Sequence, residues 1–194
     1  WQVGWQPLLA IRLLFVSAMI VLFVVDLQHR ILPNIITIPG IGMGLSAALV
    51  LEPGWWASVV GAIAGGGGLL LVAKAYYRLR HEEGLGMGDV KMLAMIGAFL
   101  GWQAAMITFF LAPFTSLAIA VSQWLVVGRR DIPFGPFLCT AAAIVVLGWH
   151  LIWARWGPVF NLGVFIPLIV VAAIALMGIL LEFVQIIKRM LGLN

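Results

Sequence analysis

The chain has 194 residues, of which 64% are hydrophobic and only 9% are charged, and its mean hydropathy is +1.15. Soluble domains are nearer to half apolar and a quarter charged, so this composition indicates an integral membrane protein. The net charge of +4 collects at the ends of apolar segments and forms no contiguous basic face, which excludes a nucleic-acid-binding protein.

Seven apolar segments predict an all-α transmembrane bundle of about six to seven helices, forming one membrane domain over residues 1–194. The segments are residues 7–26, 35–51, 57–77, 89–101, 103–127, 134–153 and 160–187. The fourth would be only about 20 Å long, which is less than the ~30 Å hydrocarbon core. We therefore expect a short fourth helix that lies inside the bundle or tilts one end into a polar cavity.

Basic residues predict the orientation of this bundle. Nine of the eleven lie in alternate connections, namely Arg30, Lys74, Arg78, Arg80, Lys91, Arg129, Arg130, Lys188 and Arg189. Such residues accumulate on the cytoplasmic side of membrane proteins. We expect the N-terminus of this chain outside and its C-terminus in the cytoplasm.

Two of the seven acidic residues, Asp26 and Asp89, stand at the ends of apolar segments on the predicted cytoplasmic side. Two carboxylates in a partly desolvated pocket do not both ionise cheaply, so one can act as a base and the other as an acid. Such a pair can activate water for attack on a peptide carbonyl. Pairing of each aspartate with an arginine at a helix end is the alternative interpretation.

The stretch "GLGMGDVK" leads into the fourth segment. Gly86 and Gly88 precede Asp89, and we expect them to permit unusual backbone torsions and close approach of a substrate backbone. Gly97 shares a helix face with Asp89 and would let a neighbouring helix come close. Lys91 points elsewhere, and we expect it to reach toward lipid headgroups.

Small residues elsewhere predict close helix packing. Gly61 and Gly65 are spaced for a helix crossing, and the glycine run 65–68 fits the same interpretation. The histidines and the single cysteine, Cys139, form no cluster with metal-ligand spacing, so we expect no metal site. Cys139 is interpreted as a small buried hydrophobe.

These motifs resemble the type IV prepilin peptidases, a family of GxGD intramembrane aspartyl proteases. "GLGMGDVK" resembles the GxGD signature, and "VVDLQHRILPNIITIPGIGMGL" resembles the family's aspartate-containing helix end and its Leu-Pro turn. "GAFLGWQ" and "RRDIPFGPFLCTAAAI" resemble two further family segments. The four matches occur in order over about residues 21–145, which would be the family-like core.

The resemblance implies that Asp26 and Asp89 are the catalytic pair of a bacterial inner-membrane enzyme. It implies cleavage at the cytoplasmic face, after a glycine that ends a short basic leader of a type IV prepilin or type II secretion pseudopilin. The substrate's apolar helix would stay in the lipid bilayer, and proteolysis would need no cofactor. The motif residues expected near the substrate are Gly86, Gly88, Pro33, Asn34, Pro133, Phe134, Gly135 and Pro136. The last four also fit a simple turn that starts a helix.

The sequence departs from the family pattern in two places. Asn34 stands where the family commonly has an aspartate, so that position can accept a hydrogen bond but cannot titrate. Many bacterial relatives also carry a zinc-bound cysteine module and N-methylate the product with S-adenosylmethionine. That module is absent from this chain, so zinc and S-adenosylmethionine are expected only if it lies upstream of Trp1. Residues 158–194 match no motif and are expected to form an extra C-terminal helix.

Two other functions remain open at this stage. A proton- or ion-coupled transporter would use the two aspartates to carry charge, but such sites usually lie near the midplane between repeated halves. A non-catalytic subunit of a pilus or secretion assembly would tolerate neutral replacement of either aspartate.

Overall fold

A computed structural model describes residues 7–80, 86–126 and 134–161. These residues form five helices and no strand: α1 (Pro7–His29), α2 (Asn34–Ala47), α3 (Trp55–Arg80), α4 (Met87–Val126) and α5 (Gly135–Asn161). All but α2 contain a stretch long and apolar enough to cross a membrane. The predicted all-α membrane fold is confirmed.

The predicted number of six to seven helices is not confirmed, since five are described. Most of the last predicted segment (160–187) and of the expected C-terminal helix (158–194) lies outside the described residues.

Helix α4 reverses direction at Gly101, whose φ of 83° and ψ of 173° are not helical. Thr115 donates a hydrogen bond of 3.1 Å to the carbonyl of Phe137, while Asp89 lies beside Gly135, two residues before Phe137. An unbroken helix would hold residues 89 and 115 about 39 Å apart. The halves of α4 therefore run antiparallel, and the reversal falls where the sequence predicted the short fourth segment to end.

Glycines bring α3 and the first half of α4 into backbone contact. A Cβ built on Gly61 or on Gly97 would overlap the carbonyl oxygen of the other residue. One turn along α3, a Cβ on Gly65 would lie 2.7 Å from the carbonyl oxygen of Leu93. The predicted close packing through Gly61, Gly65 and Gly97 is confirmed, but it is wrong for the end of the glycine run, since a Cβ on Gly67 or Gly68 meets no described atom within 4 Å.

Helix α1 runs antiparallel to the first half of α4, and this arrangement places the two aspartates at the same end of the bundle. The rings of Phe15 and Phe99 are in contact, with centroids 5.0 Å apart. Asp26 follows Phe15 by eleven positions and Asp89 precedes Phe99 by ten, so similar helical rises lead from this contact to each carboxylate.

The core and the outer surface are both apolar, as expected for a chain surrounded by lipid. Met92, Leu93 and Ile96 are fully buried on the inner face of α4. Leu13 and Ile20 of α1, by contrast, are more than half exposed. A large exposed apolar surface of this kind is suited to a bilayer.

Candidate active site

Asp26 lies in the last turn of α1 and is held where that helix ends. The backbone N–H of Arg30 donates to the carbonyl oxygen of Asp26 at 2.9 Å, and Arg30 itself has a left-handed φ of 55°. This turn directs the chain away from the helix axis. The Asp26 side chain remains inside the bundle with only 4% of its surface exposed.

Asp89 is the third residue of α4 and caps the start of that helix. Its backbone N–H donates to the carbonyl oxygen of Gly86 at 3.1 Å, and its carboxyl group hydrogen-bonds back to the Gly86 amide. A carboxylate at this position satisfies a free amide and complements the positive end of the helix. Asp89 is 7% exposed, so this capping carboxylate is also buried.

The two carboxyl groups meet at Gly135, the first residue of α5. A Cβ built on Gly135 would overlap Oδ2 of Asp26 and lie 3.5 Å from Oδ1 of Asp89. The Gly135 amide faces the Asp26 carboxyl group, yet Oδ2 is buried and makes no well-formed hydrogen bond with any described residue. The fold therefore brings Asp26 and Asp89 together around a glycine. Their catalytic role stays a prediction.

This arrangement is suited to general acid–base chemistry. Two adjacent carboxyl groups repel each other when both are charged, so they favour a state that shares one proton. The free Oδ2 of Asp26 is an acceptor that a water or a substrate group can satisfy. Within the described ranges, no three His, Cys, Asp or Glu side chains converge to hold a metal ion.

Asn34 and Lys91 are joined across two helices. Pro33 precedes the first residue of α2, Asn34, and Nζ of Lys91 donates to Oδ1 of Asn34 at 2.8 Å. The ammonium group of Lys91, which we expected to reach toward the headgroups, binds the turn that starts α2. The sequence places these residues 57 positions apart and gave no sign of this contact.

Gly86 and Gly88 differ from the sequence expectation. Neither has a positive φ, so the predicted unusual torsions are wrong. A Cβ on Gly88 would lie 2.8 Å from the Cβ of Leu32, which means that the glycine is needed for close packing of the α1–α2 connection. Gly86 is exposed and contributes its backbone to the cap of Asp89.

The segment from Phe134 to Pro136 forms the start of α5, as the turn interpretation predicted. Phe134 packs against the core, and Pro136 is buried in the first helical turn, where its missing N–H costs nothing. Gly135 lies on the carboxyl groups, so the same turn also shapes the site. Pro133 is outside the described residues.

Cys139 lies one helical turn beyond Gly135, and its position near the site was not predicted. It is buried, as expected, and its thiol donates to Sδ of Met92 at 3.6 Å. Residues four apart lie on the same face of a helix. Cys139 could therefore have been predicted near the site if the contact of Gly135 with the carboxyl groups had been known.

Residues 13–121 match the model of the type IV leader peptidase family. The leader peptidase HopD of Escherichia coli is 38% identical over 142 residues, which cover 71% of this chain and 90% of that protein. The prepilin leader peptidase/N-methyltransferase of Aeromonas hydrophila is 35% identical over 160 residues, 79% of this chain and 53% of that protein.

The protein of the same name from Dickeya chrysanthemi is 35% identical over 161 residues, 75% of this chain and 55% of that protein. The chain thus spans about half the length of the Aeromonas and Dickeya proteins. No solved structure matches the chain.

Proposed function

The chain belongs to the type IV leader peptidase family, and on this premise we propose that it is an intramembrane aspartyl endopeptidase. Its substrates would be type IV prepilins or pseudopilins, cut after the glycine that ends a short basic leader. The observation that carries this proposal is the meeting of Asp26 and Asp89 at Gly135.

The two carboxyl groups act as one unit with a single shared proton. The ionised carboxylate takes a proton from a water, whose oxygen then attacks the scissile carbonyl carbon. The protonated carboxyl group gives its proton to the carbonyl oxygen, and the product is a neutral tetrahedral diol. When the C–N bond breaks, the first carboxyl group passes its proton to the leaving amine and a hydroxyl proton returns to its partner.

The position of the pair fits a substrate that is half in the membrane. The carboxyl groups lie where α1 ends and α4 begins, at the end of the bundle that also carries Lys91 and the C-terminus of α3 with Arg78. The basic bias of that end favours the cytoplasmic side of the bacterial inner membrane. There a substrate's apolar helix would lie beside the exposed apolar surface while its basic leader extends into the cytoplasm.

Family membership favours proteolysis over ion transport or a purely structural role. The Aeromonas and Dickeya relatives are also named as N-methyltransferases, and this chain matches about half of each. We assign the peptidase activity to the matched part. Methyl transfer would need a module outside that part to supply zinc and bind S-adenosylmethionine.

The test is cleavage in lipid vesicles of a peptide with a basic leader, a glycine and an apolar helix. Wild type is compared with Asp26→Asn and Asp89→Asn, with Glu52→Gln as the control because Glu52 is an exposed acid. We expect cleavage after the glycine, with each asparagine variant slowed by at least about 10²-fold and the control unaffected.

Mass spectrometry of the products locates the cut, and circular dichroism verifies that each variant is folded. Normal cleavage by either asparagine variant would refute the two-aspartate mechanism. A folded wild type that cuts no such peptide would refute the proposed function of this chain.

A further inference from the structure

The ammonium group of Lys91 is held on a neighbouring helix two residues after Asp89. Nζ donates to Oδ1 of Asn34 at 2.8 Å, a well-formed distance for a hydrogen bond. The donor is charged, which strengthens the bond, while its exposed position lets solvent screen it. We call this pair the Lys91–Asn34 clasp.

A second contact fixes the same connection on the other side of Asp89. The side chain of Leu32 lies against Gly88, so closely that a Cβ on this glycine would be 2.8 Å from the Cβ of Leu32. Gly88 and Lys91 flank Asp89 in sequence, and Leu32 and Asn34 flank Pro33. Two contacts therefore hold the first turn of α4 against the chain that leads from α1 to α2.

That connection is continuous with the end of α1 that carries Asp26. The N–H of Arg30 bonds back to the carbonyl oxygen of Asp26, and only Ile31, Leu32 and Pro33 separate Arg30 from Asn34. At the far end, the contact of Phe15 with Phe99 joins α1 and α4. The clasp joins α4 to the first residue of α2, and through the short connection after Arg30 it links α4 to α1 at the end that carries the carboxyl groups.

We propose that Lys91 is a positioning residue whose hydrogen bond to Asn34 sets the separation of the Asp26 and Asp89 carboxyl groups; this rests on the proposed aspartyl peptidase function. Lys91 does not lie on the face of α4 that carries the Asp89 carboxyl group. It acts by holding the turn that carries Asp89 against the connection that follows Asp26.

A loosened clasp should slow the chemical step more than it weakens substrate binding. A misplacement of about 1 Å between reacting groups can cost about 10²-fold in rate. In the proposed function the apolar helix of the substrate lies beside the exposed apolar surface of the bundle rather than on the clasp. Loss of the clasp therefore lowers kcat and leaves KM nearly constant.

The experiment compares Lys91→Met, Asn34→Leu and the double variant in the vesicle assay, with Lys91→Arg as the conservative replacement. Lys74→Met is the matched control, because Lys74 is an exposed lysine in the C-terminal half of α3. We expect each single variant to lower kcat about 10- to 100-fold, with KM changed less than about twofold. The double variant should be no slower than the slower of the two single variants. Lys91→Arg should keep most of the wild-type rate.

An equal loss in Lys74→Met would overturn the proposal, because it would show that any basic anchor has the same effect. Additive losses in the double variant, or full activity of folded Asn34→Leu, would also overturn it.

Hydrogen exchange of residues 30–36 gives a second readout that needs no substrate. The amides there should exchange faster in Lys91→Met than in wild type, and unchanged exchange would refute the clasp. If wild type cut no peptide, the proposed function would fail separately, and this exchange measurement would still decide whether the clasp holds the connection.

Discussion

Gly61 and Gly97 face each other so closely that a Cβ on either would overlap the carbonyl oxygen of the other. The contact is between two backbones, so neither side can move away by a change of rotamer. It fixes the first half of α4 on α3, and that half carries Asp89 at its start. The stability of the site therefore depends on two glycines that lie well outside it.

Gly97→Ala should destabilise the protein. The added methyl group must push α3 and α4 apart, and overpacking of this kind typically costs about 1–3 kcal/mol. Thermal unfolding in detergent should show a lower Tm. Gly67→Ala is the control, because a Cβ there meets no described atom within 4 Å, and it should be neutral or stabilising by about 0.5–1 kcal/mol. Equal Tm values for the two variants would contradict the close crossing.

Apolar length and charge bias predicted much of this fold because both depend on the bilayer. Segment lengths follow from the thickness of the hydrocarbon core, and the basic residues assigned Asp26 and Asp89 to the same side before any contact was known. Small residues predicted close helix contacts at Gly61 and at Gly97, although not that these two glycines meet. Each of these predictions depends on the sequence within single segments and not on how the segments pack together.

Contacts between segments were harder to predict. The bond between Lys91 and Asn34 depends on how two helix ends are placed in space, and neither residue has a local pattern that reports it. Gly88 was expected to permit unusual backbone torsions, but it lies in a helix and packs on Leu32. The sequence alone does not distinguish a glycine needed for packing from one needed for its torsions. The contact of Gly135 with both carboxyl groups depends likewise on where α5 begins.

Gly101→Ala should cost about 1–3 kcal/mol of unfolding free energy. The φ of 83° and ψ of 173° lie in a region that is essentially restricted to glycine, and the reversal of α4 depends on it. The ring of Pro53 also lies 3.1 Å from the position of a Cβ. Chemical denaturation of Gly101→Ala measures the loss. Gly42→Ala, which meets no described atom within 4 Å, should show none, and a similar loss there would contradict the backbone argument.

Gly88→Ala should slow peptide cleavage, and Leu32→Ala should partly restore it. The new methyl group would lie 2.8 Å from the Cβ of Leu32, so the α1–α2 connection must move away from the turn that carries Asp89. We expect a loss in kcat of about tenfold for Gly88→Ala, in line with the cost of small misplacements. Because alanine retains a Cβ, relief in the double variant comes from removal of the outer Leu32 atoms, at 3.2 and 3.4 Å.

Steady-state kinetics of the four proteins in this double-mutant cycle measure the coupling. Independent, additive effects of the two changes would show that Gly88 does not act through Leu32.

Gly135→Ala should abolish most of the activity while leaving the bundle folded. The added methyl group would occupy the position of Asp26 Oδ2 and come within 3.5 Å of Asp89 Oδ1, so at least one carboxyl group must turn away. Oδ2 makes no hydrogen bond within the described part of the chain, so its displacement breaks none there. We expect kcat to fall by about 10²-fold or more, with a small change in Tm.

Gly148→Ala on the same helix is the matched control for Gly135→Ala. A Cβ there would lie 3.5 Å from Cδ1 of Ile152, an ordinary van der Waals contact with the flexible end of a side chain. Both variants change a glycine of α5 to alanine, so both gain the same helix propensity, and only one places an atom between the carboxyl groups. Cleavage at the wild-type rate by Gly135→Ala would mean that the reacting carboxyl groups do not meet at this residue. A rate loss in Gly148→Ala as large as that in Gly135→Ala would instead trace the effect to the helix as a whole.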